Sequence, residues 1–218
     1  MVMSGEKTGT GTAAQAPISL RERKKQLTYQ AVSDAAIAMF LERGFDKVSV
    51  AEVAAAADIS KPTLFRYFPA KEDLALHRFA DHEDEAARVV VARSQDESPL
   101  DALRRHFLDG LERRDPVTGL CDHPQVLAFH RMLYGTPSLV ARMYGYQGRS
   151  EAALARALGD AVPDRLAAGQ IIAVQRILAL ENWRRIDAGE SADEVYEDAV
   201  RAAELGFVQL RSGLEKER

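Results

Sequence analysis

Residues 46 to 71 read DKVSVAEVAAAADISKPTLFRYFPAK, and this stretch decides the fold. Ser49 and Glu52 form an S-x-x-E capping box, which opens a helix by satisfying its first amide donors. Val53, Ala54, Ala56 and Ala57 give that helix a small apolar face. Asp58 and Ile59 break the pattern, and Ser60 is placed to cap a second helix. Pro62 falls in the first turn of that helix, where no amide partner is lost. The second helix, about residues 61 to 68, buries Leu64 and Phe68 and displays Lys61, Thr63, Arg66 and Tyr67. Two short helices about a tight turn, the second carrying polar and basic side chains, predict a helix-turn-helix that reads DNA.

The preceding helix and its exit extend the pattern. AVSDAAIAMFLERGFDKVSVAEVAAAADISKPTLFRYFPAKEDL orders a helix ending in an aromatic, then E-R-G-F, a capped S-V-x-x-V-A helix, and S-x-x-T-L-F-x-Y-F-x-x-K. In this block the chain resembles the N-terminal domain of TetR-type transcriptional regulators. The resemblance covers about a fifth of the chain; the rest agrees with the family in length and helical character. It implies that Lys61 and Thr63, early on the recognition helix, reach base edges, and that Tyr67 and Lys71 clamp the phosphate backbone. Lys71 also opens the next helix, whose amides favour an anion. Pro62 and Arg66 complete the expected surface, and Ser49 can bond phosphate from its cap position. One departure is Phe65, where the family often has Tyr. A hydroxyl-to-phosphate bond cannot form there, and Arg66 and Tyr67 are the neighbours able to replace it.

The remaining numbers fit. The chain has 218 residues, 46% of them hydrophobic and 28% charged, which is ordinary for a globular protein with a sizeable core. Its net charge of −4 looks wrong for a DNA binder until it is divided. Residues 1 to 71 hold 10 Lys and Arg against 7 Asp and Glu; residues 72 to 218 hold 19 against 26. The basic end is thus the proposed DNA end. The single cysteine, Cys121, permits no internal disulfide and suits a reducing cytoplasm. Neither a membrane-length apolar run nor a signal-type core is evident.

Residues 1 to 18 are rich in Gly, Thr, Ala and Ser, and their composition predicts a disordered arm. Arg21, Arg23, Lys24 and Lys25 follow, either as a solubilising cluster or as an arm along phosphates. A helix-turn-helix domain is expected over 19 to 71. Its first helix, dependable over 28 to 42, buries Val32, Ala35, Ala36, Met39 and Phe40 and stops at Gly44. Residues 72 to 218 read as an all-helical effector-binding and dimerisation domain. Periodicity and caps predict helices at about 72–93, 98–113, 124–134, 136–158, 163–186 and 191–212, about nine in the whole chain. Gly145 and Gly148 are points where the fourth of these segments, 136–158, is open to disturbance. The 72–93 helix is expected to link the two domains as one rigid rod.

Apolar residues on 164–210 cover more than one stripe of each terminal helix. Two such helices bury one side inward and another against a symmetry mate, so a homodimer through a four-helix bundle is expected. For a ligand pocket the larger or polar side chains Phe107, Phe129, Tyr144, Gln175, Asn182 and Trp183 are the candidates. Without a charged cluster in view, an apolar or amphipathic small molecule is the expected effector. His123 with His130, and His77 with Asp81, are the nearest approaches to ligand spacing. Neither amounts to a metal site, and no cofactor fingerprint or catalytic constellation is present. The expectation is therefore an all-α, non-enzymatic, cytoplasmic regulator of transcription, most simply a repressor released from a palindromic operator by a small ligand. The alternative is an all-helical enzyme or small-molecule carrier whose N-terminal helices are scaffold.

Overall fold

The computed structural model describes residues 20–80 and 82–214. The arm at residues 1 to 18 lies outside them, as do Asp81 and the side chains of Arg21, Arg23, Lys24 and Lys25. The described residues form ten α-helices: α1 (Leu20–Arg43), α2 (Val50–Ala56), α3 (Lys61–Tyr67), α4 (Lys71–Ala80), α5 (Glu85–Ala92), α6 (Pro99–Glu112), α7 (Pro124–Gly135), α8 (Pro137–Leu158), α9 (Val162–Asp187) and α10 (Ala192–Leu214). Short 3₁₀ turns occupy Phe45–Lys47 and Pro116–Thr118. The all-α expectation holds, and α8 runs unbroken through Gly145 and Gly148.

The caps act where the sequence places them. The Ser49 hydroxyl accepts from Glu52 N at 3.2 Å, and Glu52 Oε2 accepts from Ser49 N at 2.8 Å. Ser60 accepts from Thr63 N, with Pro62 in the first turn of α3. Asp58 takes a left-handed φ of 52° between the two helices. Such a conformation is more tolerable for Asp than for most residues.

Two apolar cores result. The first gathers Val32, Ala36, Phe40, Phe45, Val53, Leu64 and Phe68, and continues past Lys71 into Leu74 and Leu76 of α4 and Phe129, Leu133 and Leu139 of α7 and α8. The second gathers Val90, Leu103, Phe107, Leu111, Leu154, Ile171, Ile186, Val195 and Phe207 from α5, α6 and α8–α10. Helix α8 packs on α4, α5 and α9, so it touches both cores.

The single rod expected over 72–93 is two helices. Residues 82–84 form turns between α4 and α5. The reason is charge. Asp81, Glu83, Asp84 and Glu85 would crowd carboxylates in mid-helix. A break lets His77 and Arg78 close the negative C-terminal end of α4, while Asp84 and Glu85 face the positive N-terminal end of α5. The break is tied down on both sides. Glu83 meets Arg149 of α8 at 2.8 Å, and Glu85 meets His106 of α6 at 2.9 Å. No helix among the described residues is long and apolar enough to cross a membrane.

Candidate functional site

The second helix of the motif, α3, is anchored by Leu64 and Phe68, which are almost fully buried. The side chains between them face outward. Lys61, Pro62 and Arg66 are exposed, and Thr63 and Tyr67 are partly so. The Lys61 ammonium lies 5.9 Å from the exposed Phe65 ring, and the Arg66 guanidinium lies 5.3 Å from the ring of Tyr67. Tyr67 leans on Tyr29 of α1, with centroids 4.7 Å apart. That contact fixes the ring and gives Arg66 a rigid neighbour.

Three of the expected contact residues already have internal partners. The Thr63 hydroxyl is 2.8 Å from that of Ser60. Ser49 is the cap of α2, and its partner Glu52 also holds Arg43 at 2.6 Å. These bonds, the Ser49 amide first, lower the Glu52 carboxyl to a pKa of about 2. Lys71 is turned inward: its Nζ donates to the Phe45 carbonyl at 2.5 Å and sits 4.3 Å from the Phe45 ring. This ties the start of α4 to the 3₁₀ turn before α2, a role that sequence position does not reveal.

Beyond α4 the helices border two adjoining, partly open cavities. The larger-walled one, of about 220 Å³, lies among α5, α6, α8 and α9. Leu103, Phe107, Met143, Tyr146 and Ile172 form its apolar lining, and Gln147, Ser150, Gln175 and Arg176 add polar atoms. Glu85 also lines it, held between His82 at 2.6 Å and His106 at 2.9 Å. Those two bonds hold the Glu85 carboxyl well below the usual carboxylate range. Burial raises the phenols of Tyr134 and Tyr146 above their ordinary value. The second cavity, of about 230 Å³, lies between α4, the Asp115–Val117 turn and α7, with Phe129 and His130 on its wall.

Of the six pocket candidates, three line these cavities: Phe107, Gln175 and Phe129. Tyr144 points away and is 58% exposed. Asn182 is buried but donates to the Thr118 carbonyl at 2.9 Å, pinning the turn onto α9. Trp183 packs on Tyr134 at 4.4 Å, outside either lining. The Glu85 cluster, drawn from residues 82, 85 and 106, puts a carboxylate on the cavity wall that residue spacing in the sequence does not bring together with its partners. No set of three or more His, Cys, Asp or Glu suited to a metal occurs among the described residues. His123 instead caps α7, and His77 stacks on Tyr29 at 5.5 Å.

Residues 32–77, which run from α1 through most of α4, match the family model of the bacterial regulatory proteins of the tetR family. The chain is 27% identical over 210 residues to the HTH-type transcriptional regulator TcmR of Streptomyces glaucescens, covering 91% of this chain and 93% of that one. It is 40% identical over 120 residues to a protein of Mycobacterium tuberculosis named as the mycofactocin biosynthesis transcriptional regulator MftR, covering 51% of this chain and 61% of that one. A solved TetR-family structure from Mesorhizobium loti superposes with a TM-score of 0.55 at 18% identity, covering 87% of this chain and 98% of that one, which supports the shared fold. The capped α2–α3 pair lies within the matched residues, and the chain is similar over most of its length to a named transcriptional regulator, which together support a TetR-type regulator.

Proposed function

We propose that the protein is a homodimeric repressor in the cytoplasm, released from a palindromic DNA operator by a small, largely apolar ligand, and that it catalyses no reaction. The observation that carries this reading is the pairing of an exposed, basic α3 with a partly open, largely apolar cavity two helices away. Residues 19 to 71 hold DNA, and residues 72 to 218 hold the ligand and the dimer contact. Lys61 and Thr63 read bases, Arg66 and Tyr67 grip phosphates, and Ser49 and Lys71 position the motif. The ligand sits against Phe107, Tyr146 and Gln175. An enzyme built on the same scaffold would not need the exposed set on α3.

Selecting bound sequences from a random DNA pool tests the reading. An enriched, roughly two-fold symmetric site is expected. On that site, Arg66→Ala should weaken binding to all sequences and reduce the slope of log affinity against log salt by about one unit. Lys61→Ala should change the preference at particular bases instead. Fluorescence anisotropy against specific and random duplexes reads both. If the two changes act alike on both duplexes, the division into reading and positioning contacts fails; if no site is enriched, the function itself does.

The route from cavity to DNA runs through α8 rather than a continuous α4–α5 rod. Met143, Tyr146, Gln147 and Ser150 of α8 line the cavity. On the same helix Arg142 makes two 2.8 Å bonds to Asp73 of α4. Asp73 is buried and also accepts from Ala70 N at 3.0 Å, at the entry to α4. A ligand that moves α8 therefore pulls on α4 and, through it, on α3. Arg142→Met should leave a buried carboxylate short of its partner and cost about 1–3 kcal/mol. Hydrogen exchange should then speed up in the first turns of α4 while α9 and α10 keep their protection. Unchanged protection in α4 would show that α8 does not hold it.

A further inference from the structure

Arg176 lies on α9, partly buried, on the wall of the cavity that also holds Phe107. Ile172, Gln175, Arg176 and Ala179 all line that cavity at the spacing of one helix face, so this side of α9 is turned toward it. The far side carries the exposed Ile177. The other partly buried cations are each engaged: Lys71 and Arg93 by carbonyls, and Arg104, Arg114 and Arg185 by carboxylates. Arg176 is the one partly buried cation that has neither an ion pair nor a hydrogen bond among the described residues. The Tyr134 hydroxyl and the Gln175 amide line the same cavity and have no hydrogen-bond partner among the described residues either. Burial raises the Tyr134 phenol and the Arg176 charge offsets part of that rise, which places the two groups near each other. The carboxylates of the wall are already taken up. Glu85 is held by His82 and His106, and Asp115 accepts from Val117 N.

We propose that the ligand of this cavity is an amphipathic organic monoanion, whose carboxylate pairs with Arg176 while its apolar body packs against Leu103, Phe107 and Ile172. This rests on the cavity being the ligand site, and it adds the charge of the molecule the site takes. A guanidinium presents a planar fork of donors that matches a carboxylate with two parallel hydrogen bonds. Tyr134 and Gln175 supply neutral donors nearby. A cation held partly out of water without a partner is costly, and a bound anion removes that cost. One free cation is balanced by one negative charge. A dianion such as a phosphate monoester would leave a second charge uncompensated on a wall that already carries Glu85. A neutral molecule of the same shape would leave Arg176 unpaired, so the residue selects by charge rather than by size. The volume suits a two-ring acid: a cavity of about 150 Å³ in another protein holds benzene, and this one is about 220 Å³ and partly open.

Isothermal titration calorimetry on the full chain tests it, with 2-naphthoate and its neutral amide, 2-naphthamide, as probes of nearly equal shape. At neutral pH the naphthoate should bind about tenfold more tightly than the amide, the low end for hydrogen bonds to a charged group because Arg176 is partly exposed. In Arg176→Gln that preference should fall below about twofold, through loss of naphthoate affinity while the amide binds as before. Arg176 leaves no partner stranded when it is replaced, so the thermal midpoint of this variant should stay within about 2 °C of the parent. Ser150→Trp, which fills the cavity from α8, should abolish binding of both probes. Equal affinities in the parent, tighter binding of the amide, a preference that survives Arg176→Gln or binding that survives Ser150→Trp would each overturn the proposal and leave the ligand site itself standing. Binding of neither probe would overturn the site together with its charge.

Discussion

Gly119→Ala is expected to destabilise the protein by about 4 kcal/mol or more, a fall of about 8–16 °C in thermal midpoint for a domain of this size. Gly119 ends the Pro116–Thr118 turn with φ 74° and ψ −8°, a left-handed conformation in which a Cβ is itself unfavourable. The larger effect is contact. An added Cβ would overlap the carbonyl of Ala179 on α9, standing 2.8 Å from its carbon and 3.1 Å from Trp183 N. Backbone on a packed helix has no rotamer by which to give way. The turn cannot simply lift, because Asn182 holds the Thr118 carbonyl and Thr118 lies against Gly110 of α6. Gly189→Ala is the control: φ is 110° there, but nothing lies within 4 Å of the added atom. It should cost only the conformational part, about 1 kcal/mol. Differential scanning calorimetry of both variants separates strain from overlap. Equal losses in the two would mean that the turn does not seat on α9 as described. Because Asp115, Val117 and Thr118 also line the cavity against Phe107, a protein that survives the change should bind ligand less well.

The N-terminal motif was legible because its signals are local. Ser49 with Glu52, and Ser60 with Pro62, fix helix starts from neighbours three residues away, and Leu64 and Phe68 follow from the helical period. Apolar spacing alone does not mark the break between α4 and α5. The run from Asp81 to Glu85 holds four carboxylates, and His77 and Arg78 just before it mark a helix end. The pocket was half legible for a different reason. Residue type does not give helix phase. Tyr144 and Tyr146 differ by about 200° around α8, so one is solvated and the other lines the cavity. Met143, Tyr146, Gln147 and Ser150 repeat at helical spacing, and that stripe was the available signal. Asn182, Lys71 and Glu85 could not have been assigned this way. Their partners, Thr118, Phe45 and His106, lie 64, 26 and 21 residues away in sequence.

Ile177→Glu with Leu205→Glu is expected to turn a dimer into a folded monomer that no longer holds its operator. Leu166 and Ile177 on α9, and Leu205 and Val208 on α10, are each 55–60% exposed in the single chain. The two helices pack closely enough that a Cβ on Gly206 would come within 3.0 Å of Val174, so they form one continuous surface. Covering these side chains against a second copy contributes about 1–2 kcal/mol each, and two-fold symmetry uses every one of them twice. The double change places four carboxylates in such an interface, where burial of unpaired charge costs several kcal/mol. Association should weaken by at least about a thousandfold. The monomer itself should be nearly as stable as before, since substitutions at exposed positions usually shift stability by about 0.5 kcal/mol or less. Affinity for a palindromic site should fall by about 10²–10⁴, because the second half-site contact is no longer tethered to the first. Light scattering reads the first effect and anisotropy on the selected operator the second. A parent protein that is monomeric at micromolar concentration refutes the dimer outright. A variant that stays dimeric places the contact elsewhere, and a monomeric variant with full operator affinity would mean that one α3 suffices to hold the site.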